Sequence, residues 1–340
     1  IASPGKTAAP LIFHIFVHEF EAGLKLIAKN CDITAKDEEG HGIGMYLLRS
    51  DNFETLFKLI NQYFPGKLQS ILSEAREGVS LFEIAAKVGK ESFLEYALLA
   101  ISNPMAVIDS KGNTFLHQVV SANNLKILKM FLKLKGLDVN VGNYQNRRPL
   151  MIAAASGNEL IVKELLANGA DPNLLDNDQR NSLFYGLLSD KNQQIAETLL
   201  PLTFDINQTD RVGATVAILA ARQKKSTTLN SILCRNPDLT KRMKAGYQAV
   251  HCAAEEGSFE NLVSLIQSGA DVNSPVRREH PKEKKSSLDT PLHLAARKGN
   301  FKAFNLLFNM GADVKAENAA EETPIEAAIR NKHPAIMTTV

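Results

Sequence analysis

Between Thr290 and Gly299 the chain reads Thr-Pro-Leu-His-Leu-Ala-Ala-Arg-Lys-Gly. Leu292, Ala295 and Ala296 recur at spacings of three and four, which places them on one face of a helix. Pro291 suits a first helical position, where its missing N–H costs nothing. Gly299 suits the end, where a left-handed residue is needed and a Cβ would clash. The alanines leave room for a neighbouring helix to approach closely. A helix this short cannot bury its apolar side alone, so the pattern predicts a second helix and further pairs stacked beside it. Leu160-Ile161-Val162-Lys163-Glu164-Leu165-Leu166 is such a second helix, again with apolar positions at helical period.

The burst returns along the chain. Aligned on Thr290, it begins at Ala9, Gly42, Ser80, Thr114, Arg148, Ser182, Thr215, Gln248, Thr290 and Thr323, at spacings of 33, 38, 34, 34, 34, 33, 33, 42 and 33 residues. A period of about 33 with Thr-Pro-Leu-His-x-Ala and a following helix is the signature of the ankyrin repeat. Residues 150–158 with Gly169-Ala170-Asp171-Pro172-Asn173, and 250–257 with Gly269-Ala270-Asp271-Val272-Asn273, are close to that pattern. The chain resembles the ankyrin-repeat family over nearly its full length. The resemblance implies an all-α solenoid of about ten stacked helix-turn-helix units joined by β-hairpin-like loops. The first three units are degenerate: Gly42 replaces the threonine, and Met45 and Glu83 replace the histidine. The expected organisation is degenerate repeats over 1–78, central repeats over 79–273, a basic insertion at 274–288, and C-terminal repeats over 289–340 with the last incomplete.

Composition narrows the function classes. A chain of 340 residues would ordinarily divide its core, but a repeat array grows in one dimension. An apolar fraction of 44% without tryptophan suits many small Leu, Ile and Ala contacts. A formal net charge of +2 gives no reason to expect nucleic acid or a lipid surface. Cys31, Cys234 and Cys252 are odd in number and far apart, and read as reduced thiols of an intracellular, cytosolic protein. No apolar run reaches the length of a membrane span. The chain opens on Ile1 and stops at Val340 within an expected outer helix, so both ends read as cuts in a longer protein.

Candidate chemistry fares poorly. His117, His251 and His293 share one repeat position, so they cannot converge on one ion; in the family this side chain bonds backbone groups of adjacent turns. His14 and His18 lie one helical turn apart but enclose Ile15, Phe16 and Val17 rather than the glutamate of a zinc protease motif. Gly40-His41-Gly42-Ile43-Gly44 follows no strand-forming run and reads as turn chemistry at a hairpin tip. Cys234 and Cys252 read as small core hydrophobes. No nucleophile elbow or phosphate loop is present. We expect no catalytic residue, cofactor, metal or small-molecule substrate, and no enzyme within these residues.

What the expected architecture offers is a concave face of hairpin tips and first-helix ends. The family's contact positions fall here on Tyr144, Arg147, Arg211, Arg222, Gln223, Lys244, Tyr247, Glu255 and Arg297. Arg and Tyr dominate binding hot spots because they bring large contact area and versatile hydrogen bonds. The mixture of signs points to a protein partner of mixed charge. The insertion adds Arg277, Arg278, Lys282, Lys284 and Lys285 as a second contact. The resemblance also implies targets for an asparaginyl hydroxylase at Asn140, Asn173, Asn207 and Asn273, with Leu132, Leu165, Leu199 and Leu265 eight residues earlier. The expected function is a monomeric, non-catalytic module for protein–protein interaction. The alternatives are the targeting arm of a larger enzyme, a bacterial effector acting in a host cytosol, or a scaffold self-assembling through the apolar helix Leu11 to Val17.

Overall fold

The apolar bursts fold as helix pairs in the computed structural model, which describes residues 42–49, 53–63, 66–67, 71–72, 75–76, 79–100, 103, 106, 109–188, 193–277 and 287–337. His14, His18, Cys31, the apolar segment 11–20 and the loop cations Arg278, Lys282, Lys284 and Lys285 lie outside the described residues. The described structure is helical apart from a two-residue antiparallel pair, β1 (Ala75–Arg76) with β2 (Val79–Ser80). The chain forms two compact units, 1–171 and 172–340.

In the first unit the helices are α1 (Ile43–Arg49), α2 (Phe53–Tyr63), α3 (Leu81–Val88), α4 (Glu91–Ala100), α5 (Phe115–Ser121), α6 (Leu125–Phe131), α7 (Pro149–Ser156) and α8 (Glu159–Ala167). First helices stack on first helices, α3 on α5 on α7, and second helices on second, α4 on α6 on α8. Phe57, Phe82, Phe93, Phe115 and Phe131 are buried in this unit among leucines and alanines. Phe82 meets Phe115 with ring centroids 4.9 Å apart, and Phe57 meets Phe93 at 5.0 Å, both near edge-to-face. Gly44 corrects the hairpin-tip reading of the glycine cluster. It sits within α1, and a Cβ there would lie 2.4 Å from Leu81 Cδ2, so this glycine serves close helix packing. Gly42 is buried immediately before the helix.

The second unit holds α9 (Ser182–Gly186), α10 (Gln193–Leu199), a 3-10 turn at Leu200–Leu202, α11 (Val216–Ala221), α12 (Thr227–Leu233), α13 (Ala249–Glu256), α14 (Phe259–Gln267), α15 (Pro291–Lys298), α16 (Phe301–Asn309), α17 (Pro324–Arg330) and α18 (Pro334–Met337). Here α11, α13, α15 and α17 stack in order as first helices, with α12, α14 and α16 behind them. Ala253, Ala254, Ala295, Ala296, Ala327 and Ala328 are buried where the first helices meet. Volume matters more than propensity at these positions, because a larger side chain would push the stack apart. Gly257 and Gly299 end α13 and α15 in the left-handed conformation at φ 73° and 72°, as the sequence requires.

One register differs from the sequence alignment. The cap of α9 is Asn181, not Ser182: its carboxamide oxygen accepts from Phe184 N at 3.2 Å, while the Ser182 hydroxyl is buried. Asparagine is a strong N-cap and displaces the serine by one position.

Candidate protein-interaction surface

Each repeat begins where an extended residue caps a first helix, and the histidines decide how that cap joins the next repeat. In α15 the Thr290 N–H donates to His293 Nδ1 at 3.2 Å. An accepting Nδ1 leaves the proton on Nε2, which donates to Glu322 O at 2.9 Å in the following repeat. His251 accepts from Gln248 N at 3.1 Å and donates to Ser274 O at 2.7 Å. His117 does the same between Thr114 N, at 3.1 Å, and Arg147 O, at 3.0 Å. Burial is the leading cause holding all three below the ordinary imidazole range, and takes His251 to about 4. Each ring is a neutral structural bridge.

The hairpins between repeats close on a polar side chain. Asn143 Oδ1 accepts from Gln145 N and Arg147 N, both at 3.0 Å. Asp176, Asp210 and Asn318 repeat that geometry two and four residues on. Successive tips are then tied backbone to backbone: Tyr144 N to Lys111 O at 3.1 Å in the first unit, Arg211 N to Asp178 O at 2.8 Å and Lys244 N to Val212 O at 2.9 Å in the second. A row of rigid fingertips results within each unit.

Tyr144 crowns one fingertip and is 67% exposed, its ring passing over Gly112, where a Cβ would meet Cδ1 at 2.4 Å. Arg147, half-buried on the same hairpin, supplies the carbonyl that His117 holds. In the second unit Arg211 and Lys244 are exposed on adjacent tips, and Arg277 is exposed at the start of the next hairpin. Tyr247 is half-buried with its ring 6.0 Å from His251; burial, then Glu255 and Asp289, push its hydroxyl above the ordinary range. At the other end of the first helices, Arg222 pairs with Glu256 at 3.5 Å and Lys298 with Glu255 at 3.3 Å. These exposed links tie α11, α13 and α15 in series and, being screened by water, contribute little stability.

Two of the expected contact residues are engaged in bonds within the repeats. Gln223 is buried and its carboxamide donates to Leu187 O at 3.0 Å, so it braces two repeats. Arg297 grips Asp289 with two bonds of 2.7 and 2.9 Å. Asp289 is 1% exposed and also accepts from Asn318 Nδ2 at 2.9 Å. Asn140, Asn173, Asn207 and Asn273 each accept a backbone N–H from the next repeat, from Asp171, Phe204, Asp238 and Asp313 at 2.7 to 2.9 Å. Their place in the turn is thus structural. Cys252 is buried and its thiol is pushed up to about 12, chiefly by burial. Cys234 departs from its expected core position: α12 ends at Leu233, and the cap residue Cys234 turns outward, exposed.

Sequence reasoning missed the buried acid Asp210, which takes two bonds from Arg180 at 2.8 and 3.0 Å. It also missed Asn261, fully buried, whose Nδ2 donates to Gln223 O at 2.7 Å and Ala221 O at 3.2 Å. The only signal for the first is an Arg and an Asp thirty residues apart, nearly one repeat. Among the described residues no cluster of His, Cys, Asp or Glu is arranged to hold a metal, and no helix is long and apolar enough to cross a membrane.

Stacked helix pairs with capped hairpins define a class, and comparison with known proteins agrees. Ankyrin-repeat models match residues 81–176, 183–276 and 250–308. The chain belongs to the ankyrin-repeat family. The human transient receptor potential cation channel subfamily A member 1 is 27% identical over 188 residues, 55% of this chain and 17% of the channel. The palmitoyltransferase AKR1 of Lachancea kluyveri is 31% identical over 160 residues, 46% of this chain and 22% of that protein. The chain thus spans about a fifth of the length of these relatives. The human ASB11 ankyrin repeat domain superposes with a TM-score of 0.56 at 22% identity, covering 66% of this chain and 97% of that domain. The ankyrin repeat domain of Bcl-3 gives 0.53 at 23% identity, covering 67% and 100%.

Proposed function

We propose that the chain is a non-catalytic module that holds a partner protein against its hairpin tips and first-helix ends. One observation carries the reading: large side chains stand exposed on tips whose backbones are held by hydrogen bonds to a polar side chain and to the neighbouring tip, with Tyr144 at 67% and Val212 at 45% exposure. Holding such groups rigid removes ordering cost from binding, which is how small contact sets gain affinity. The first unit offers Tyr144 and Arg147 as contacts, and the second Arg211, Arg222, Lys244, Tyr247 and Glu255, with Gln223 and Arg297 bracing the second set. Replacing Tyr144, Arg147, Arg222 and Tyr247 by alanine is expected to weaken a partner retained by the wild-type chain at least tenfold, measured by biolayer interferometry. Unchanged retention would place the contact elsewhere.

A second reading has its own support. Two relatives matched over a small share of their length bear enzyme names, the palmitoyltransferase AKR1 and the E3 ubiquitin-protein ligase KEG of Arabidopsis thaliana, the latter 32% identical over 113 residues, 33% of this chain and 7% of the ligase. In this reading the repeats are the targeting arm of a larger intracellular enzyme. The interaction chemistry of the repeats is the same in both.

A further inference from the structure

Charge is unevenly spread over the second unit. From 211 to 254 the chain carries eight Lys and Arg against a single acid, Asp238. The whole chain balances to +2, so this stretch is a local excess. The described ion pairs of the unit are Arg180–Asp210, Arg222–Glu256, Arg297–Asp289, Lys298–Glu255 and Arg330–Glu322. None of them includes Arg211, Lys244 or Arg277, all three exposed.

These three cations occupy consecutive hairpins in direct contact. Lys244 N donates to Val212 O at 2.9 Å, beside Arg211. A Cβ on Gly246 would lie 2.7 Å from the carbonyl carbon and oxygen of Arg277, so the second and third hairpins touch backbone to backbone. Gly246, at φ 94°, is therefore confined to glycine by both its conformation and its neighbour. Behind this edge Arg242 is locked by bonds to Pro275 O and Ser274 Oγ, both at 2.8 Å. Its guanidinium lies close enough to Arg277 to feel its charge. The edge is thus a rigid row of like charges whose separation the backbone enforces.

Resting on the interaction reading above, we propose that the hairpin edge of Arg211, Lys244 and Arg277 receives an extended acidic segment of the partner protein. Neighbouring repeats are spaced by about 10 Å, the separation of packed helices. An extended chain in the polyproline II conformation advances about 3.1 Å per residue with three residues per turn. Every third side chain therefore falls on the same face about 9 Å from the last, so a carboxylate at every third position meets successive tips. The exposed Val212 between the first two cations offers an apolar contact to the intervening side chains. A protein segment fits better than a nucleic acid strand, because among the described residues of the three tips the one aromatic ring, Tyr247, is half-buried and no exposed ring is offered for bases to stack on.

The test uses the full chain and a fluorescein-labelled twelve-residue peptide carrying Glu at every third position between Ser and Gly, followed by fluorescence anisotropy at low salt. Saturable binding is expected. The triple variant Arg211→Glu, Lys244→Glu, Arg277→Glu should lose at least thirtyfold in affinity with an unchanged circular-dichroism melt. A control triple, Lys224→Glu, Lys225→Glu, Lys302→Glu, alters the same amount of charge at exposed positions away from the tips and should lose less than threefold. Equal losses in the two triples, or no binding by the wild-type chain, would overturn the proposal. So would tighter binding of a twelve-residue oligothymidylate through the same three residues. Peptide affinity decides this inference and retention of a partner by the wild-type chain decides the broader one, so the two fail on different measurements.

Discussion

Two stretches of the second unit solve the same problem differently. From Gln248 onward each repeat is joined to the next by an imidazole, His251 to Ser274 and His293 to Glu322. From Pro172 to Ala221 the corresponding positions hold Phe184 and Ile218, which have nothing to donate. There the joining bonds move to the periphery: Arg180 to Asp210 at the hairpins, Gln223 to Leu187 at the far end of the helices. Tyr185 adds a 2.5 Å bond to Asp176. The lesson is that the fold demands a polar link between repeats and not any particular residue to make it. Where the link rests on a buried acid, as that of Arg180 rests on Asp210, it is the more sensitive to loss.

The largest effect is expected in the stretch without histidine. Asp210→Ala removes the acceptor of two backbone N–H groups and of the Arg180 guanidinium at a buried site, which should cost about 3–5 kcal/mol. Thermal unfolding of the variant checks this, and a loss below 1 kcal/mol would mean that water replaces the carboxylate. The second effect belongs to the histidine stretch. His251 gains its proton only at about 4 in the folded chain, whereas the unfolded imidazole takes one near 6.5. Between those values the unfolded chain binds more protons, so stability falls as pH falls, by about 3 kcal/mol at the lower end for this ring alone. His117 and His293, displaced in the same direction, add to the loss. Urea midpoints taken from pH 7 to pH 4 should decline, and a flat profile would show that the rings are not neutral bridges.

His293→Ala comes next, at about 2 kcal/mol, because Thr290 N–H and Glu322 C=O lose their partner at once. Measured beside an alanine at Ile218, whose loss is one of apolar volume, it separates the two ways of joining repeats. The smallest change is chemical. A thiol reagent should label Cys234 in the native chain and leave Cys252 untouched until unfolding. Equal labelling rates would contradict the burial of Cys252.

The repeat period, the helix pairs and the histidine bridges were legible because each depends on residues close in sequence. Thr290, Pro291, His293 and Gly299 specify cap, first turn, bridge and stop within ten positions. The asparagines were legible for the same reason, since the turn they serve recurs with the period. What escaped was decided across repeats. Whether Gln223 faces outward depends on Leu187, one repeat earlier, meeting it, and spacing carries no such information. The Asn181 cap was hidden by a serine beside it that suits the same role. Gly44 looked like a turn because its true neighbour, Leu81, lies one repeat away.

The most direct test of the interaction account is site-specific photo-crosslinking in cells. A benzophenone side chain would be placed in turn at Tyr144, Lys244 and, on the second-helix side, Lys302. The account predicts that the same partner protein is captured from Tyr144 and from Lys244, and that Lys302 captures none. Capture from Lys302 with none from the two hairpin positions would contradict it.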